Sequence, residues 1–164
     1  HGNLIDAPTA ALMAERGAFA VPTLITYEAL ARDGARLGLG AESVAKIEQV
    51  RAAGLKSLEI LKAAGVKMAF GTDLLGASHD LQSEEFLIRA QVQSNLEVLQ
   101  SATLIGAELL NQVGVIGEIA AGARADLLLV DGNPLTDLAC LTGQGERIPL
   151  VMQGGKLRVN ELRA

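Results

Sequence analysis

Apolar positions along this chain follow two rhythms, and the change between them near residue 110 divides it in two. In the first part, Val44, Ile47, Val50, Leu55, Leu58 and Leu61 recur at helical spacing and predict a helix over residues 41–64, ended by Gly65. Residues 18–25 and 66–71 are short apolar runs bounded by turn residues, and they predict buried strands. Pro22 falls near the end of the first run, where a missing amide donor is tolerated. Asp6 is the expected cap of a helix running to Arg16, with Pro8 needing no donor in the first turn and Gly17 as its stop. Further helices are expected over residues 27–37, 84–93 and 95–99, and Ser101 or Thr103 is placed to cap one that runs through Leu110. Strand-like and helix-like segments alternate, which implies parallel strands joined by right-handed crossovers.

Beyond residue 110 the helical period is lost. Residues 115–122 and 125–134 read as short strands broken by turn residues. Residues 148–153 and 156–159 are two alternating runs meeting at Gly154-Gly155, the pattern of a β-hairpin. The expected fold class is therefore α/β over residues 1–110, followed by a small β module over residues 111–164.

Composition narrows the function classes. A chain of 164 residues can bury a sizeable core, and with 49% hydrophobic but only 2% aromatic residues that core is built from Ala, Leu, Val and Ile. The net charge of −5 and the scattered Lys and Arg argue against a nucleic-acid partner. The single cysteine, Cys140, excludes an internal disulfide and suits a reducing compartment. No apolar run approaches the ~20 residues of a membrane span and no leader is visible, so a cytoplasmic protein with no membrane partner is expected. The chain opens on His rather than Met, which reads as a truncated start.

The chemistry concentrates at the end of the second strand-like run, where Phe70-Gly71-Thr72-Asp73 closes a buried segment with an acid. The C-terminal lip of a parallel strand is where α/β barrels carry catalytic groups. A Gly-Thr-Asp triplet also commonly caps a turn, and both readings of Asp73 stand at this level. His1, in His1-Gly2-Asn3, resembles the cut end of another such strand and is the candidate partner of Asp73. His79 lies in the loop after Asp73, where it either faces a substrate or simply meets solvent. Tyr27 follows the first run and either bonds a substrate carboxylate or packs with its hydroxyl in water. Glu84-Glu85 reads as a helix N-terminus favoured by the dipole. Cys140 reads as a small buried apolar residue, and Asp126, Asp131 and Asn133 as turn and strand-end residues.

Three ordered motifs carry a family resemblance: His1-Gly2-Asn3-Leu4-Ile5-Asp6, Phe70-Gly71-Thr72-Asp73, and Gly117-Glu118-Ile119 with Gly122 and the run from Ala125 through Pro134. They resemble the C-terminal portion of amidohydrolase-superfamily enzymes, in the imidazolonepropionase-like and Xaa-Pro dipeptidase-like branch. The resemblance implies the C-terminal part of a (β/α)8 barrel followed by strands of a small β-sandwich. It also implies one or two divalent metal ions, zinc foremost, at the barrel mouth. In that family a histidine ends the sixth barrel strand and an aspartate the eighth, and these map onto His1 and Asp73. The aspartate is in addition the proton shuttle of the hydrolysis. The family's His-x-His pair, its bridging lysine and its strand-five histidine have no counterpart in this sequence.

Two functions of different class follow. In the first, the protein is a metal-dependent hydrolase of an amide, dipeptide or cyclic amide, with Asp73 catalytic, His1 and Asp73 as metal ligands, and Tyr27 and His79 toward the substrate. In the second, the chain is a non-catalytic remnant, or a partner that completes a barrel with another chain. Either way the isolated chain is expected to be inactive and to associate into homo-oligomers, because a partial barrel leaves strand edges unpaired.

Overall fold

Two short parallel strands, β1 (Phe19–Ala20) and β2 (Lys67–Met68), form the centre of the first part of the computed structural model, which describes residues 1–34, 36 and 38–162. Phe19 pairs with Lys67 and Ala20 with Met68, and the Ala69 amide extends the ladder to the Ala20 carbonyl at 2.9 Å. Between the strands run α2 (Leu24–Asp33) and the long α3 (Ala41–Ala63), so the unit is a parallel pair with a helical crossover. Before them lies α1 (Ala7–Glu15), capped as expected by Asp6, whose carboxylate accepts from the Thr9 amide at 2.9 Å. Gly17 follows in the left-handed region, φ 62°, where a glycine stops a helix without strain.

The strands are shorter than the apolar runs that mark them. Leu24 and Ile25, expected to close a strand, open α2 instead. Pro22 has no amide with which to continue a ladder, and a buried run does not distinguish a strand from the first turn of a buried helix. Leu24 and Ile25 are buried all the same, at 5% and 4% exposure. The helix expected to reach Leu37 is described to Asp33, with Gly34 at its C-cap; Leu37 lies outside the described residues.

Helix α3 matches its predicted limits to within a residue, and its periodicity is visible in what it buries. Gly54, Ser57, Leu58 and Leu61 face inward. Leu58 and Leu61 join Ala10, Ala20, Leu24, Val66 and Met68 in one cluster. Gly54 is there for closeness of approach, since a Cβ at that position would lie 2.8 Å from Leu24 Cδ2 and 2.9 Å from Asn3 Nδ2.

After β2 come a 3₁₀ turn (Gly76–Leu81) and the helices α4 (Glu84–Arg89), α5 (Asn95–Ala102) and α6 (Leu104–Leu109). The cap that matters here is Ser94, which forms a reciprocal capping box with Glu97. Thr103 holds the expected cap position of α6, but its hydroxyl donates back to the Leu99 carbonyl instead. The remaining sheet is antiparallel, β3 (Leu127–Leu129), β4 (Leu150–Gln153) and β5 (Lys156–Asn160), with the predicted hairpin turning at Gly154 and Gly155. Asp126 steadies that turn by accepting from the Gly154 amide at 2.6 Å. Residues 115–122 form turns rather than the expected strand. A second cluster gathers Val98, Leu138, Cys140 and Leu141 against Phe70 and Phe86, so Cys140 is the buried apolar residue its context suggested.

Candidate functional site

His1 and Asp73 meet at the C-terminal end of the parallel pair, with His1 Nε2 at 3.4 Å from Asp73 Oδ2. The two side chains are 58% and 50% exposed, which leaves the pair open to water and to a ligand and makes it a weak contributor to stability. The other ring nitrogen, His1 Nδ1, lies 2.8 Å from the Thr23 hydroxyl at the start of α2. That contact orients the ring and presents Nε2 to the carboxylate. Asp73 sits in the left-handed region, φ 53°, a conformation that Asp tolerates better than most residues.

The segment leading to Asp73 is tied down at successive residues. Arg89 Nη1 donates to the Ala69 carbonyl at 2.9 Å, the Phe70 amide donates to the Ser101 carbonyl at 3.0 Å, and the Thr26 hydroxyl donates to the Thr72 carbonyl at 2.6 Å. Gly71 is not in the left-handed region. Its role is contact: a Cβ there would come within 2.5 Å of Val21 Cγ1. The segment carrying His1 is anchored to α3. Asn3 is buried and reaches the Val50 carbonyl at 3.4 Å, while Ser57 Oγ donates to the Gly2 carbonyl and accepts from the Ile5 amide at 2.9 Å.

Sequence reasoning missed Glu85 and Arg89. Glu84-Glu85 reads in sequence as a helix N-terminus favoured by the dipole, yet both Glu85 and Arg89 are 0% exposed. Glu85 Oε2 accepts from the Ile25 amide at 2.7 Å. Burial drives its carboxyl up to about 7, against the opposing pull of the Ile25 amide and Arg89, and burial also lowers Arg89 to about 10. The spacing of the two, one helical turn apart, is common on exposed helix faces; nothing local marks this pair as interior.

Neither Tyr27 nor His79 hydrogen-bonds His1 or Asp73. Tyr27 is half-buried on α2 and lines a depression with Gly2, Asn3, Leu4, Ile5 and Val50, beside the segment that carries His1. His79 is exposed on the 3₁₀ turn and shares a hollow with Ser83, Leu141, Gln144 and Ile148.

An imidazole nitrogen and a carboxylate oxygen are donors that a divalent ion such as zinc accepts. The exposed, pre-oriented His1–Asp73 pair fits two positions of such a site. Among the described residues no group of three His, Cys, Asp or Glu side chains is placed to hold an ion.

The profile of the amidohydrolase family matches residues 1–157. The chain superposes on the crystal structure of an amidohydrolase with a TM-score of 0.96 at 60% identity, covering 99% of this chain and 40% of that one. On a prolidase solved in complex with N-methylphosphonate-L-proline the TM-score is 0.93 at 54% identity, covering 98% of this chain and 39% of the other. Among curated proteins, the ochratoxinase of Aspergillus niger is 29% identical over 159 residues, 96% of this chain and 32% of its own length. The chain thus spans 32% to 40% of the length of these relatives.

Proposed function

We propose, for a chain that belongs to the amidohydrolase family, that the protein is a metal-dependent hydrolase of C–N bonds in small amides or dipeptides. In this reading residues 1–110 are the closing part of a (β/α)8 barrel and residues 111–164 are strands of a flanking β-sandwich. The observation that carries it is the 3.4 Å approach of His1 to Asp73 at the C-terminal end of β2, with both side chains open to solvent. Likeness to a prolidase held with a proline phosphonate supports an Xaa-Pro dipeptide as the substrate class.

His1 and Asp73 would hold one or two divalent ions, zinc foremost by the family resemblance, and their nitrogen and oxygen donors suit that ion. When bound, such an ion lowers the pKa of its water from ~16 towards ~7 and polarises the scissile carbonyl. The chain's own residues do the rest. Thr23 fixes the His1 ring. Asp73 takes the proton from the attacking water as its oxygen bonds to the carbonyl carbon. The C–N bond then breaks, and Asp73 delivers that proton to the leaving nitrogen, so the products are a carboxylic acid and an amine, which ionise to a carboxylate and an ammonium. Tyr27 and His79 reach the substrate from the depressions they line.

A zinc site takes about three protein ligands with water, and at the His1–Asp73 site the described residues offer two. That count favours a second reading, in which the 164-residue chain completes a barrel whose other donors lie elsewhere in the polypeptide or in a partner copy. Association between copies is part of both readings, and light scattering on the eluted protein measures it. The deciding experiment is elemental analysis together with Met-Pro hydrolysis, on the 164-residue chain and on any longer product whose reading frame contains it. The longer product is expected to hold zinc and release proline, and the short chain to hold substoichiometric zinc. A longer product with neither zinc nor Met-Pro hydrolysis overturns the hydrolase reading.

A further inference from the structure

The interior holds one pair of charges that the proposed chemistry does not use. Glu85 and Arg89 lie a turn apart on α4, fully buried, with Glu85 Oε1 and Arg89 Nη2 lacking partners among the described residues. Burying charges is costly, and replacing such a pair by apolar groups is often neutral or stabilising. Stability alone is a poor reason for them.

Their hydrogen bonds suggest another. An α-helix leaves its first amides unpaired, and a threonine at the N-cap ordinarily turns its hydroxyl onto one of them. Thr23 is the N-cap of α2 and makes no such bond. Its hydroxyl lies 2.8 Å from His1 Nδ1. The amide that Thr23 would have served, that of Ile25, donates instead to Glu85 at 2.7 Å, from 60 positions further along the chain. Arg89 works on the other arm. Its Nη1 donates to the Ala69 carbonyl and its Nε to Gln93 Oε1, both at 2.9 Å, which fixes the strand end that runs into Asp73.

We infer that Glu85 and Arg89 are positioning residues for the His1–Asp73 pair: Glu85 caps α2 from outside, which releases the Thr23 hydroxyl to orient His1, and Arg89 anchors the backbone before Asp73. The role in catalysis rests on the hydrolase reading; the role in geometry does not.

The chain has two histidines, so the ring nitrogen shifts of His1 and His79 are separable by NMR. T23V gives the shift of a His1 ring without its hydroxyl partner. E85Q keeps an acceptor oxygen toward the Ile25 amide and is expected to leave the His1 shift as in the parent. E85L/R89M removes both charges together and is expected to stay folded by circular dichroism. Thr23 then turns to cap α2, the His1 shift moves to that of T23V, and zinc binds at least ~10-fold more weakly, the scale for loss of an outer-shell partner. A folded E85L/R89M chain whose His1 shift matches the parent overturns the inference. Should that variant not fold, E85D decides, because it withdraws the carboxylate from Ile25 while keeping the charge beside Arg89. A His1 shift like that of T23V supports the inference, and the parental shift overturns it. Absence of Met-Pro hydrolysis in the longer product would count against the function and leave the His1 result to be read independently.

Discussion

The leucines packed around the parallel strands and those of the antiparallel sheet meet opposite surroundings. Around the parallel strands Leu58 and Leu61 are 1% and 0% exposed, whereas Leu128, Leu129 and Leu157 of the antiparallel sheet are 54%, 49% and 50% exposed. The first part is held by side-chain burial and by bonds between segments distant in sequence. The second is held by its ladder, by the Gly154-Gly155 turn and by Asp126. Leu138, Cys140 and Leu141 are the exception, since they reach back to pack on Val98, Phe70 and Phe86. His1 and Asp73 stand on the part with the well-buried interior, which suits a site that must keep two side chains in register.

Truncation is the sharpest way to break the comparison. Leu58→Ala should lower the unfolding free energy by about 2–5 kcal/mol, because it leaves a cavity in the cluster that supports both strands; urea unfolding measures it. The next effect is on pH. Glu85 keeps its proton to about 7 in the folded chain, above its ordinary 4.5. Between those values the folded state binds more protons than the unfolded one, so stability should fall as pH rises from about 4.5 to about 7 and level off above. In Glu85→Gln the urea midpoint should lose that slope, and a slope identical to the parent's would assign it to another group. The smallest effect belongs to the sheet. Leu157→Ala should change stability by no more than about 0.5 kcal/mol, and a cost like that of Leu58→Ala would mean that the sheet face is covered in solution.

What the sequence disclosed follows from how locally each feature is encoded. Helix α3, the Asp6 cap and the Gly-Gly hairpin are set by period and by turn chemistry within a few residues. The ends of β1 and the start of α2 were not legible, because Leu24 and Ile25 are buried whichever element they belong to. Asp73 could be singled out by residue type and by its position after a strand-like run, and His1 by its resemblance to the cut end of another such strand. Their approach, and the bond between the Ile25 amide and Glu85, join segments far apart in sequence. An acid in the pattern Glu-Glu-Phe-Leu-Ile-Arg looks solvated until the tertiary contact is seen.

The central claim is that Asp73 is the proton shuttle of a hydrolytic site, and one substitution tests it most directly. Asparagine keeps the size of the side chain and tolerates the left-handed backbone at this position, φ 53°, but cannot accept the proton. In the zinc-loaded longer product, kcat for Met-Pro is measured in Asp73→Asn with bound zinc counted in the same sample, and Glu84→Gln serves as control. The account predicts a loss of at least ~10²-fold in Asp73→Asn with the fold intact, and a control at the parental rate. A variant that retains zinc and cleaves Met-Pro at close to the parental rate would contradict it.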